Sequence, residues 1–319
     1  MNSKIHWKRL ILILSLSVLL LGGCGSPESE SVTLRMAVLP VLDTLPMHVA
    51  AEEGFFQEAA VEVEFIPVAS APERDQLISA GRADGMLNEL VSTLFYNQDQ
   101  VQVEIVRTAR AASAEAPLFR ILASGESEIR QPEDLKGVEI GVSEGTVIEY
   151  ITDRLLEEAG FSESEIAKIP VPKIPDRLAL LGSGELEAAV LPDPLSELAV
   201  QDGARVVLDD SRIPGYSLSV IAFRTEVLEE HPEAVGAFLA AVERAVIAIN
   251  QHPERYAEIM SEKELVPPPV LGDYRVNPFP LASVPSEAQW QDAVNWALEN
   301  ELIDGDLPYD ASVTDQFLP

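Results

Sequence analysis

From Val32 onward, hydrophobic positions fall into short alternating runs separated by longer stretches with helical spacing. Thr33 to Leu39 is a β-rich run, and Pro46 to Glu53 reads as a helix with proline early and Gly54 placed at its end. Val61 to Val68 alternates again. Ser70 can cap a helix through Ala80 that stops at Gly81, and Ala83 to Leu87 is the next strand. A second unit of the same design begins at Gly137. It has strands at Val138 to Val142, Ile166 to Val171 and Ala188 to Leu191, with helices at Thr146 to Ala159 and Asp176 to Leu181. Strand and helix in alternation predict an α/β fold with parallel strands.

The two units also resemble each other in their letters. Leu77 to Gly85 matches Leu180 to Ala188 at the apolar pair, the glycine, the acid and the final small residue. After Tyr216 come one strand, Leu218 to Arg224, and then only helices, at Pro232 to Asn250, Pro253 to Ser261 and Ser286 to Asn300. A strand followed by helices alone cannot build a third unit. The chain is therefore expected to return and cover the first lobe, crossing twice, near Leu118 to Ser124 and Asp210 to Ser219, and two crossings make a hinge. The expected division is 32–120 with 217–319 in one lobe and 121–216 in the other. Pro267-Pro268-Pro269 reads as a stiff extended connection, and Trp290 and Trp296 fall on a core stripe.

The amino-terminal segment changes the picture of where such a domain would work. Residues 1–23 read as an export signal, with Lys4, Lys8 and Arg9 ahead of an apolar run from Leu10 to Leu21 that is short for a membrane span. Cys24, the only cysteine, stands behind Leu21-Gly22-Gly23 and resembles a bacterial lipobox. Acylation of Cys24 would anchor the protein in a membrane, with 24–31 as a flexible tether. A lone cysteine excludes a disulfide framework, so the domain rests on its core. The net charge of −31, three units lower once Lys4, Lys8 and Arg9 are lost, makes nucleic acid a poor partner.

Leu39 to Pro46, followed by Ala50-Ala51-Glu52-Glu53-Gly54-Phe55-Phe56, resembles the opening of the NMT1/THI5-like solute-binding proteins, which include thiamine-precursor, sulfonate and nitrate binders. Gly81 to Gly85, Asp134 to Gly137 and Gly141 to Thr146 extend the resemblance in order along the chain. It implies a type II periplasmic-binding-protein fold, two α/β lobes joined by two crossover strands with a small molecule in the cleft. It also implies an ABC permease and ATPase as partners, and a monomeric, extracytoplasmic protein.

In such sheets ligands lie beyond the carboxyl ends of the strands. That places Asp43, Thr44 and His48 after the first strand, Asn88 and Glu89 after the third, and Ser143, Glu144, Gly145, Thr146 and Asp193 in the second lobe, with Tyr216 at the second crossing. Most of them have a plainer role beside the ligand-binding one. Ser143 or Thr146 can simply cap a helix, Asp43 and Thr44 can form a turn, Asn88 can form a turn, Asp193 can cap the helix from Pro194, His48 can pack, and Tyr216 can pack the hinge. None of these loops carries arginine or lysine, which argues against an anion pocket and for a neutral or partly cationic nitrogen heterocycle, such as a pyrimidine or flavin-type vitamin precursor. A sulfonate or similar oxyanion is the alternative ligand, and ligand sensing without transport the alternative role.

Enzymes of the thiamine-pyrimidine type share this resemblance, with chemistry implied to need a cysteine-rich motif and a lysine-bound pyridoxal cofactor. This chain has one cysteine and no lysine between Arg9 and Lys136, and His6, His48, His231 and His252 show no metal spacing. The expectation is a binding protein without catalytic residues, cofactor or metal.

Overall fold

The computed structural model describes residues 32–319, so the export signal, Cys24 and the tether lie outside the described residues. Two five-stranded sheets form the frame, each flanked by helices. In chain order the elements used below are β1 (Thr33–Val38), α1 (Leu45–Glu52), β2 (Glu62–Pro67), α2 (Ala71–Ser79), β3 (Gly85–Asn88), α3 (Leu90–Asn97), β4 (Val103–Ala111) and β5 (Phe119–Ala123). There follow β6 (Glu139–Val142), α4 (Val147–Glu158), β7 (Ala167–Pro170), α5 (Ile174–Ser183), β8 (Ala188–Pro192), α6 (Leu195–Gln201), β9 (Arg205–Asp209) and β10 (Leu218–Arg224). The remainder is helical and includes α7 (Pro232–Gln251), α8 (Pro268–Leu271) and α9 (Glu287–Glu299).

The first sheet runs β2-β1-β3-β10-β4 and the second β7-β6-β8-β5-β9. The two-lobed α/β architecture implied by the sequence is therefore present, but neither sheet is purely parallel. β10 runs antiparallel to β3 and β4, and β5 runs antiparallel to β8 and β9. The cause is topological: a strand entered directly from the other sheet has no crossover helix to turn it parallel. The first crossing spans residues 112–118, earlier than expected, because Phe119 already pairs with Pro192 in the second sheet. β4 and β9, absent from the sequence reading, complete one edge of each sheet.

The crossings are tied to each other as well as to the sheets. Ala112 N donates to Ser217 O at 2.9 Å, and the buried Asp210 carboxylate accepts from Leu118 N at 2.9 Å and Phe119 N at 3.1 Å. Burial pushes Asp210 up from 3.8 to about 6, with Ser217 and the two amides holding it from rising further.

Helix caps follow the sequence closely. Ser70 caps α2 by accepting from Glu73 N, and Thr146 caps α4 by accepting from Ile148 N at 3.2 Å. Gly85 is required by close approach, since a Cβ there would lie 2.7 Å from the Phe223 ring and 2.8 Å from Met36 Sδ. The proline run corrects the expectation of an extended link: Pro268 and Pro269 open α8 behind Pro267, because a first-turn N–H has no partner to lose. On the first sheet, α7 packs along α1, and Phe238 stacks on Phe56 with centroids 5.3 Å apart while meeting Phe223 edge-on at 5.6 Å. Trp290 and Trp296 are fully buried, their indole N–H groups donating to Leu307 O at 2.8 Å and Asp153 Oδ2 at 3.0 Å.

The internal repeat extends further than the letters show. Arg74 in α2 donates to Leu87 O at 3.3 Å, and Arg177, at the same interval along the repeat, donates from α5 to Val190 O at 2.8 Å. Each arginine is buried and holds the carbonyl near the end of the corresponding strand.

Candidate functional site

Between the sheets lies a cleft of about 760 Å³, part of it open to solvent. It sits at the carboxyl ends of β1, β3, β6 and β8, where free loop groups meet helix starts. Leu39, Val41 and Leu87 give apolar surface from the first sheet; Ile148, Ile174 and Pro192 give it from the second. Phe119, entering β5 from the first crossing, closes one side.

Six of the residues expected from sequence line this cleft: Asp43, Asn88, Glu89, Ser143, Thr146 and Asp193. Five do not. Thr44 is fully buried and returns its hydroxyl to Val41 O at 2.9 Å. His48 packs against Phe65 with ring centroids 4.8 Å apart, and burial, with Lys263 adding to it, lowers its pKa to about 4. Glu144 faces solvent. Gly145 has φ +66° and gives its N–H to Glu149 Oε2 at 2.7 Å, so one amide of the α4 start is already taken. Tyr216 sits edge-on to Tyr150 at 6.3 Å, packing the second crossing.

Asp193 does not cap α6, whose start has no side-chain cap. Its carboxylate instead crosses the cleft to Arg110 Nη2 at 2.6 Å and accepts from the Tyr274 hydroxyl. Arg110 Nη1 reaches Asp43 Oδ1 at 3.4 Å. Arg110 thus stands between one carboxylate from each lobe, 3 % exposed, with Asp193 at 5 %. Burial alone would lower the guanidinium pKa, but Asp193, Tyr274 and Asp43 outweigh it and push it above its ordinary value. Tyr274 is raised as well, by burial first and by Asp193.

The other polar end is built on α2 and β3. Arg74 is paired with Asp75 at 2.8 Å, and Glu89 caps α3 by accepting from Ser92 N at 3.1 Å. Burial raises Glu89 even though Arg74 and Ser92 favour its charged form. Asn88 Nδ2 donates to Thr93 Oγ1 at 2.9 Å, and that hydroxyl donates onward to Glu89 O at 2.9 Å. The hydroxyl can only accept from Asn88, which fixes the amide orientation and leaves the buried Oδ1 without a donor.

Sequence reasoning missed Arg74, Arg110 and Tyr274. The repeat that pairs Arg74 with Arg177 offered a signal for the first. Arg110 lies on the unread strand β4, opposite Ser219, and Tyr274 lies in a long segment after α8 with no motif. Among the described residues, no group of three or more His, Cys, Asp or Glu is arranged to hold a metal ion, and no helix is long and apolar enough to cross a membrane.

Comparison with known proteins adds a family to this geometry. The chain is 23% identical over 292 residues, 88% of its length and 86% of the relative's, to a Bacillus subtilis (strain 168) protein named for binding aliphatic sulfonates. It is 22% identical over 261 residues, 78% of its length and 77% of the relative's, to a formylaminopyrimidine-binding protein of Halalkalibacterium halodurans. Among solved structures, the alkanesulfonate-binding protein of Xanthomonas axonopodis pv. citri bound to MOPS superposes with a TM-score of 0.75 at 16% identity, covering 88% of this chain and 98% of that one. The desulfurization enzyme DSZB shares the fold too, with a TM-score of 0.69 at 17% identity over 89% of this chain and 97% of that one. The model of the family described as NMT1/THI5 like matches residues 42–256, more than half of the chain, and the protein belongs to that family.

Proposed function

We propose that this protein is the extracytoplasmic solute-binding component of an ABC importer, capturing a small organic molecule, a nitrogen heterocycle, between its two lobes. The observation that carries the reading is the cleft itself. Its walls come from both sheets, are largely apolar, and carry a few polar groups at two ends, the pattern of a small-molecule site. Asp43, Asn88, Ser143, Thr146 and Asp193 are the proposed ligand contacts from the sequence reading, joined by Arg74 and Arg110. The two crossings form the hinge about which the lobes close, and the closed form is what a permease and its ATPase would distinguish. Acylation of Cys24 would hold the protein at the membrane. The relative that binds formylaminopyrimidine supports a heterocyclic ligand.

A sulfonate is the second reading, favoured by the relative named for aliphatic sulfonates and by Ser143 at the start of α4. Mass spectrometry of ligand released from the purified protein, with a thermal-shift panel of pyrimidine and flavin vitamins against taurine and nitrate, tests both. Stabilisation by a vitamin supports the first reading; a response to taurine or nitrate alone transfers the function to the second. Small-angle scattering with the stabilising compound should show a smaller radius of gyration, and an unchanged radius would remove the hinge.

A further inference from the structure

Resting on the solute-binding reading, we infer that Asp43 and Asp193 set the charge of the ligand: the cleft selects a molecule with a positively charged or donor-rich nitrogen group and rejects oxyanions. The charges facing the cleft are unevenly matched. Arg74 is paired with Asp75 at 2.8 Å and stands by Glu89, a second carboxyl at the same end of the cleft. Arg110 meets two carboxylates, Asp193 at 2.6 Å and Asp43 at 3.4 Å, so this cluster of three, with Arg110 and Asp193 buried and Asp43 part-exposed, carries one net negative charge. An arriving sulfonate would have to displace a carboxylate already bonded to Arg110, or lose its hydration beside both. An amidinium or protonated ring nitrogen would neutralise the cluster.

At the other end of the cleft Arg74 Nη2 keeps its ion pair with Asp75 at 2.8 Å but makes no hydrogen bond, and near it stands an unpaired acceptor that calls for a donor. Asn88 is 2 % exposed, its orientation is fixed by Thr93, and its Oδ1 has no donor within the protein. A buried acceptor left unpaired is costly, and a ligand N–H satisfies it. Arg177, the remaining buried arginine of the repeat, does not line the cleft and directs Nε and Nη1 to the carbonyls of Val190 and Val171 at 2.8 and 2.7 Å.

The test uses two probes with the same ring and opposite charge, benzamidine and benzenesulfonate, titrated by calorimetry into the full folded domain. The wild type should bind benzamidine at least tenfold more tightly. Asp43→Asn, at a part-exposed carboxylate that leaves the Asp193 pair intact, should narrow that ratio. The double variant Asp43→Asn, Asp193→Asn should reverse it, because Arg110 then has no carboxylate and becomes an anion site. Thermal melts without probe show that each variant is folded, and if the double variant is not, Asp43→Asn alone decides.

A wild type that prefers benzenesulfonate, or a ratio unmoved by Asp43→Asn, overturns the charge rule and leaves the solute-binding reading standing. If neither probe binds, the co-purified ligand decides: a cationic or donor-rich nitrogen compound upholds the rule and an anion overturns it. With no probe bound and nothing co-purified, the thermal-shift panel decides: stabilisation by a cationic or donor-rich nitrogen compound upholds the rule, and stabilisation by an anion alone overturns it.

Discussion

Asp210→Asn isolates the group that joins the two crossings. The carboxylate is fully buried, and its two oxygens accept separately from Leu118 N and Phe119 N. Its pKa rises from 3.8 to about 6 on folding, roughly 2 units, which corresponds to about 3 kcal/mol at 1.36 kcal/mol per unit. Because the folded value lies above the unfolded one, the associated stability is complete below about 3.8 and is lost as pH rises through about 6. Near pH 4 the protein approaches its isoelectric point of 4.3, where solubility is poorest, so pH 5 to 7.5 is the practical window. About 1.4 kcal/mol of the total falls there. Asparagine offers one acceptor oxygen for two amides, so the variant also loses about 1–3 kcal/mol at every pH. Urea unfolding of both proteins across the window removes the contribution of every other carboxylate by subtraction. The wild-type advantage over Asp210→Asn should shrink by about 1.4 kcal/mol from pH 5 to pH 7.5. A constant difference would refute the assignment of Asp210 as a buried, titrating clamp.

Other residues give independent checks. Arg110→Ala leaves Asp193 buried and Asp43 part-exposed without their cation and should cost about 3–5 kcal/mol in urea unfolding; a loss under about 1 would contradict the cluster. Gly145→Ala meets both a φ of +66° and a Phe95 ring atom 3.3 Å from the new Cβ, whereas Gly160→Ala, at φ +87°, meets nothing within 4 Å. The first should therefore destabilise more than the second, which carries only the backbone cost of about 1–2 kcal/mol. His48 should stay neutral down to pH 5 and titrate near 4 by NMR, so its stabilisation is complete above 6.5 and lost as pH falls through about 4; a midpoint near 6.5 would place it in water instead. Trp296→Phe removes the indole donor to Asp153 but leaves Lys168 Nζ at 2.9 Å, and should cost about 1–3 kcal/mol by thermal or urea unfolding.

The α/β order of the fold was legible because its signals are local. Ser70 and Thr146 stand at helix starts, and β1, β3, β6 and β8 are short apolar runs bounded by turns. β4 escaped because Arg107 and Arg110 interrupt its pattern with charges that are in fact buried, Arg107 on Glu243 at 2.6 Å and Arg110 on Asp193. A sequence pattern treats arginine as a solvent-facing residue, and an ion pair formed with a residue far along the chain reverses that rule. The direction of β5 and β10 was equally hidden, since it depends on which sheet the preceding segment leaves.

The same physics explains the part of the candidate site that could be read. Asp43, Asn88, Glu89, Ser143, Thr146 and Asp193 follow strands, and strand ends converge in any fold of this kind. Choosing among residues within one loop is different, because one step along the chain turns a side chain from cleft to core, as Thr44 shows beside Asp43. Arg110 was out of reach for a stronger reason. No candidate loop carries a cation, yet β4 reaches the cleft along its strand and places Arg110 between carboxylates from both lobes. The expected preference for a neutral or cationic ligand therefore rests on a different footing: the cleft does contain cations, and what argues against an anion is that each already faces a carboxylate of the protein, Arg74 on Asp75 and Arg110 on Asp43 and Asp193.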